Sequence, residues 1–340
     1  MTAEHASHGH SPAGDSTVEH PSLPPSAEAR RRAAEAFGSR AVFAGLVTAA
    51  FATLAWADWI GLGGAQPAWW LLPVAVVLAV GSVDEMVRLF VARDIQLPAW
   101  LLRPAVVAVV LSAAAGAEAF AAASSAASPA AAMGWPAIAV LFAIIALFLV
   151  EIASYRPHGA AIERLTAGVF TVALIGLPLA CIVSLRLLCL ENLGPEQTGR
   201  GHLGMLPLLS LVAVAKAGDI TAYLGGTLLG RHRMTVALSP GKTWEGAVAS
   251  LVGSSAAAWL VLEQFGSGAL ARPWGGWLVF GLSVGLAAMV GDLAESLLKR
   301  ECGAKDSGRS LGGLGGFLDL VDSLLFAAPV AWLLWVLGGL

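Results

Sequence analysis

The chain has 340 residues, 57% of them hydrophobic and only 13% charged. An ordinary soluble domain is roughly 25% charged, so the composition excludes a soluble globular enzyme and points to an integral membrane protein. The formal net charge of −3 decides little, because in such a chain the placement of charge matters more than its sum.

Residues 1–38 are polar and rich in proline, glycine and serine, with too little apolar surface to fold, so a disordered cytoplasmic tail is expected. The segment lacks an apolar core behind a basic start and so does not read as a cleaved signal peptide. Its histidines, His5, His8, His10 and His20, read as solvated groups rather than metal ligands. Nine mostly apolar stretches of spanning length follow, at about 41–62, 69–90, 99–120, 134–152, 165–188, 204–228, 245–263, 275–297 and 317–338. The pattern predicts an all-α integral membrane protein, a polytopic bundle of about nine transmembrane helices. Small residues crowd several spans, as in Ser250–Trp259 and Val284–Gly291, which favours close helix packing.

Lysine and arginine set the orientation. Arg30, Arg31, Arg32 and Arg40 precede the first span, and Arg88, Arg93, Arg103, Arg156, Arg164, Arg231, Arg233, Lys242, Lys299, Arg300, Lys305 and Arg309 fall on the same side. The opposite side holds Arg186, Arg200 and Arg272. The N-terminus is therefore expected in the cytoplasm. Polar residues inside spans are sparse before Gly201 and dense after it. This divides the membrane region into a scaffold, 39–200, and a catalytic region, 201–340.

Charge at depth in a membrane protein is costly and marks function. In the eighth span Asp292, Ser296 and Lys299 share a helical face, and in the ninth Asp319, Asp322 and Ser323 do. A helix arriving at the cytoplasmic side and one leaving it place Asp292 and Asp319 at similar depth. Two facing carboxylates repel unless a cation lies between them, and hard oxygen ligands suit Mg²⁺. A second cation fits beside Asp322 or Ser296. The connecting loop adds Lys299, Arg300, Lys305 and Arg309, and its glycines, Gly312 to Gly316, feed a helix N-terminus, an expected anion site. The three cysteines form no CxxC pair, so neither zinc nor a disulfide framework is supported, and Cys302 reads as a bystander.

A second group lies between Ala215 and Gly246. Lys216, Asp219 and Tyr223 share a face of the sixth span, with Lys216 and Asp219 readable as a plain buried ion pair. Lys242 and Thr243 follow a glycine, but the spacing of a P-loop and its preceding strand are both missing.

At these residues the sequence resembles the phosphatidate cytidylyltransferase (CDP-diacylglycerol synthase) family. Ser296, Lys299, Arg300, Lys305, Asp306, Gly315, Gly316, Asp319 and Asp322 match one family segment. Asp219, Ala222, Tyr223, Gly226, Gly230, Arg231, His232, Arg233, Ser239, Pro240, Lys242, Thr243, Glu245 and Gly246 match the other. Leu314 and Leu320 stand where the family usually has histidine and arginine. The first 200 residues match only in hydropathy.

The resemblance implies transfer of a cytidylyl group from CTP to phosphatidate, with Mg²⁺, at the cytoplasmic face of the cell membrane. The residues fit that reaction independently, with catalytic roles expected for Asp292, Asp319, Lys299, Lys305 and Asp322 and with Asp292 and Asp319 as the metal ligands. The resemblance implies substrate contacts from Asp219, Lys216, Tyr223, Ser239, Lys242, Thr243, Ser296, Arg300, Asp306, Gly315 and Gly316. The expected partners are CTP, phosphatidate and the bilayer, not nucleic acid, and a homodimer stays open. A lipid-alcohol or prenol kinase, and a cytidylyltransferase acting on an isoprenoid ether lipid, are the alternatives of the same kind. A transporter would need polar residues paired across both halves, and an inactive scaffold rests only on Leu314 and Leu320.

Overall fold

The computed structural model describes residues 49–62, 68–122, 133–156, 159–188, 205–265, 272–303 and 315–338. The tail 1–38 and the loop segment 304–314, which carries Lys305, Asp306, Arg309 and Leu314, lie outside them. Nine helices run through the described residues: α1 (49–59), α2 (Leu72–Val91), α3 (Ala99–Ala122), α4 (Gly134–Ala153), α5 (Ala161–Leu187), α6 (Leu206–Leu229), α7 (Trp244–Phe265), α8 (Gly276–Glu301) and α9 (Phe317–Leu337). The seven helices α3 to α9 are long and apolar enough to cross a bilayer. Among the described residues the expected count of nine is not confirmed: α2 has the length but carries Asp84, Glu85 and Arg88, and the first expected span is described only from residue 49.

Between α6 and α7 the all-α expectation has one exception. Residues Arg233–Thr235 (β1) and Ser239–Thr243 (β2) pair antiparallel as a short hairpin, with Arg233 opposite Thr243 and Thr235 opposite Ser239. Helix α8 runs past its expected end at 297 because Lys299 and Arg300 form its last turn, where cations meet the negative end of the helix dipole.

The small residues act as the sequence predicts. A methyl group at Gly218 would strike Ser254, one at Gly225 would strike Ala249, and one at Gly253 would strike Thr221, so α6 and α7 touch almost backbone to backbone. Gly281 and Gly285 do the same between α8 and α7, and Gly291 between α8 and α9. Without a hydrophobic drive inside lipid, such close contact is what holds helices together.

Helix α9 belongs to both apolar cores. Its first half, through Leu318, Val321 and Leu325, packs with α2, α3 and α5. Its second half, through Ala327, Ala328, Ala331 and Trp335, lies in a core shared by α5, α6, α7 and α8. The buried Trp335 ring meets Phe280 edge-on at 6.3 Å, and its indole N–H donates to Ser210 Oγ at 3.2 Å. At the far side, Arg186 of α5 pairs with Asp58 of α1 at 2.6 Å, both side chains buried. Helix α4 turns Leu141, Phe142, Phe148, Leu149 and Ile152 outward, a face suited to lipid and not to water.

Candidate active site at the α6–α8–α9 junction

The C-terminal ends of α6 and α8 and the N-terminal ends of α7 and α9 meet at one side of the bundle. Asp292 lies nine residues before the end of α8, about 14 Å along a helix, so the site is set below the helix ends. The i, i+3, i+7 spacing of Asp292, Glu295 and Lys299 keeps them on one face of α8.

Three carboxylates converge there. Asp292, Glu295 and Asp322 each place an oxygen within 4.8 Å of the other two, a group that could hold a metal ion. Asp319 is not one of the three. It pairs with Lys299, whose Nζ also lies 2.8 Å from Glu295 Oε1, and its Oδ2 accepts the Gly316 N–H at 2.7 Å. Among the described residues Asp322, rather than the expected Asp319, is the α9 acid that lies beside Asp292. The reason is the register of the two helices: Gly291 packs against the backbone oxygen of Asp322, which brings the next residue, Asp292, level with Asp322. Asp319 sits one turn nearer the helix start and folds back to cap it.

Basic groups ring the acids. Lys242, delivered by the hairpin, reaches Asp292 Oδ2 at 2.8 Å. Lys216 Nζ lies 3.3 Å from Asp219 Oδ2 and donates to Ser323 Oγ at 3.2 Å. Ser323 Oγ in turn meets Asp219 Oδ2 at 3.3 Å, which joins α6 to α9. Among the described residues, the five carboxylates Asp219, Asp292, Glu295, Asp319 and Asp322 lie with three ammonium groups, Lys216, Lys242 and Lys299. The donor set, all hard oxygen, suits Mg²⁺.

The hairpin is anchored at both ends. His232 Nδ1 meets Glu245 Oε1 at 2.7 Å, and the His232 backbone N–H also points at that carboxylate. Arg300 Nε donates to the Leu238 carbonyl at 3.4 Å. Thr243 is the N-cap of α7, its Oγ1 accepting the Gly246 N–H at 3.1 Å. Ser239 opens β2 and is half-buried, as is Ser296 on α8. Tyr223 is not drawn in: its side chain lies on the outer face of α6, 71% exposed. Lys305 and Asp306 fall outside the described residues.

The N-terminus of α9 holds an acid of the chain itself. Two of its amides are already taken by Glu85 of α2, while Gly312, Gly313 and Leu314 of the expected anion site lie outside the described residues. Glu85 Oε1 and Oε2 accept the N–H groups of Phe317 and Leu318, each at 2.8 Å. Gly316 has no room for a Cβ because the Glu85 carboxylate is there, and Gly315 has φ +93°, a backbone region that favours glycine. Glu85 and Glu295 are the residues that reading the sequence for motifs passed over. Their signal was burial of an acid on an otherwise apolar helix, which spacing alone does not reveal.

An apolar cavity of about 210 Å³ adjoins the acids, walled by Phe170 and Leu174 of α5, Leu298 of α8 and Phe326 of α9, with Glu295 and Asp322 on its margin. Cys302, just past α8, is held above the usual thiol range by burial, so it is not a ready nucleophile.

Residues 39–337 match the family described as Cytidylyltransferase family, so the match reaches well before Gly201. A phosphatidate cytidylyltransferase of Brucella abortus biovar 1 (strain 9-941) is 42% identical over 137 residues, 40% of this chain and 48% of that protein. A phosphatidate cytidylyltransferase of Helicobacter pylori (strain J99 / ATCC 700824) is 44% identical over 126 residues, 37% and 45% of the two chains. An uncharacterized protein, YnbB, of Escherichia coli (strain K12) is 39% identical over 129 residues, 37% and 41%. The chain thus spans about half the length of the curated relatives it matches.

Proposed function

The chain belongs to the cytidylyltransferase family, and on that premise we propose that it transfers a cytidylyl group from CTP to phosphatidate at the cytoplasmic face of a bacterial inner membrane. A phosphate oxygen of phosphatidate bonds to the α-phosphorus of CTP, the bond from that phosphorus to the β-phosphate bridge breaks, and pyrophosphate leaves. CDP-diacylglycerol stays in the membrane. The observation that carries this reading is the meeting of acids and lysines from α6, the hairpin, α8 and α9 at one end of an apolar bundle. A lipid phosphate and a soluble nucleotide can both reach such a place.

Asp292, Glu295 and Asp322 would hold the divalent cation. Bound there, Mg²⁺ supplies charge neutralisation on phosphate oxygens. The rest falls to the chain. Little covalent chemistry is asked of a protein in phosphoryl transfer, and nucleotidyl transfer shares its dependence on positioning and electrostatics. Lys242 sits on a hairpin tied to α7 and α8, so its ammonium is presented at a fixed place for the triphosphate. Lys216, held by Asp219 and Ser323, faces the same space from α6 and would meet the lipid phosphate. Lys299 keeps Asp319 and Glu295 in position. The cavity beside Glu295 and Asp322 supports an acyl segment lying next to the acids. Arg300 in the last turn of α8, with Lys305 and Asp306 on the loop after it, remain proposed nucleotide contacts, and a homodimer remains a proposal.

The test is direct. Purified protein with labelled CTP, phosphatidate and Mg²⁺ should yield a lipid-soluble cytidine product and pyrophosphate, and neither without phosphatidate. Label transferred from the γ-phosphate to a lipid alcohol instead would replace this reading with the kinase alternative.

A further inference from the structure

We infer that Glu85, on α2 and outside the acidic group, is a positioning residue that sets α9 and with it Asp319 and Asp322. Its side chain is fully buried, and its two oxygens take the first two N–H groups of α9 at 2.8 Å each. The first turn of any helix leaves N–H groups that must find acceptors, and an anion is the favoured one. Here the anion is built in. Arg88, one turn along α2, lies 3.6 Å from the same carboxylate and offsets its charge.

Two glycines make the contact possible. Gly316 leaves room for the carboxylate, and Gly81 leaves room for the Phe317 ring, which lies where a Cβ would be. The grip falls on the first two residues of α9. Asp319 follows at once, and Asp322 lies four residues past Leu318, about 6 Å further along the axis. A helix is stiff over that length, so a shift at Phe317 is carried to Asp322. Glu85 thereby links the first half of the chain to the acids of the second. Through the Phe317 and Leu318 amides its effect passes along the backbone of α9.

A buried cap would also stabilise the fold, so the test reads more than stability. Its kinetic part rests on the proposed cytidylyl transfer; its other two parts do not. Glu85→Gln keeps the size but turns an amide NH₂ toward one of the two N–H groups. Glu85→Asp keeps the charge but falls a methylene short. Both should lower kcat by about tenfold or more, as loss of an orienting partner does, with the CTP KM little changed. Both should weaken Mn²⁺ binding, read by electron paramagnetic resonance without substrate, and speed hydrogen exchange at residues 317–319. If Glu85→Gln does not fold, Gly316→Ala drives a methyl group into the carboxylate and should give the same pattern.

A lower melting temperature with wild-type kcat and wild-type Mn²⁺ affinity would overturn the inference. So would lost activity with unchanged exchange and unchanged Mn²⁺ affinity, since Glu85 would then act on substrate. If the wild type makes no lipid-soluble cytidine product, the proposed reaction fails, and the exchange and Mn²⁺ measurements still decide the role of Glu85.

Discussion

Two of the charge groups among the described residues of this bundle are built differently. Asp58 and Arg186 form a closed pair, one acid to one base at 2.6 Å, both out of reach of solvent. At the other site, acids from α6, α8 and α9 outnumber the lysines around them, and several are partly open. A balanced pair neutralises itself and fixes α1 against α5. An unbalanced group has a charge left over, which a cation or a phosphate-bearing ligand must complete. Charge balance therefore separates the structural from the functional where burial alone does not.

The largest effect should come from the unbalanced group. Asp292→Asn or Asp322→Asn each removes a charge the cation needs and keeps the side chain's size. Turnover should fall to background with either, and the double variant should be hardly worse, because residues acting as one unit are not additive. Melting temperature should hold or rise, since repulsion among the carboxylates is relieved. Kinetics and thermal melting of the three variants check this. Losses that multiply would mean the two aspartates act separately.

The closed pair should respond in the opposite way. Asp58→Asn leaves Arg186 buried without its charge partner, which costs about 3–5 kcal/mol. Melting temperature should drop clearly, while kcat per folded molecule stays near wild type. If kcat fell as far as for Asp292→Asn with stability intact, the division between structural and functional charge would be wrong.

Lys242→Ala tests the border between the two kinds. The lysine is paired with Asp292 at 2.8 Å, yet it is proposed to meet nucleotide phosphate as well. Loss of a charged hydrogen bond to phosphate should raise the CTP KM by about tenfold or more. The fold should persist, because the hairpin is held by Glu245 and Arg300 rather than by Lys242. An unchanged KM with a loss of stability would make Lys242 a counterion of Asp292 and nothing more.

Reading the sequence located most of this and misplaced part of it for definable reasons. Apolar length gave α3 to α9 within a few residues at most ends, because a spanning helix must satisfy its backbone internally over a fixed thickness. It overlooked the hairpin, since three paired residues carry no periodic signal. The face shared by Asp292 and Lys299 was legible from spacing. The partner across the helix gap was not: whether Asp319 or Asp322 stands level with Asp292 depends on how closely α8 and α9 approach at Gly291, and spacing within one helix says nothing of register between two. Glu85 lies some 230 residues from the amides it holds, so no local pattern could join them. Arg186 was counted as a topology signal, and the structure gives it a packing partner instead.

The smallest effect should come from a pair that is neither buried nor unbalanced. Arg93, after α2, meets Glu301 at 2.7 Å, and about half or more of each side chain is open to solvent. An exposed pair is screened by water and salt and is worth under about 1 kcal/mol. Arg93 lies on the same expected face as Lys242, so both satisfy the positive-inside bias equally. Arg93→Ala should therefore leave the CTP KM, kcat and melting temperature close to wild type. If it raised the CTP KM as much as Lys242→Ala does, the nucleotide would be responding to the general positive charge of that face. The particular placement of Lys242 on the hairpin would then carry no information.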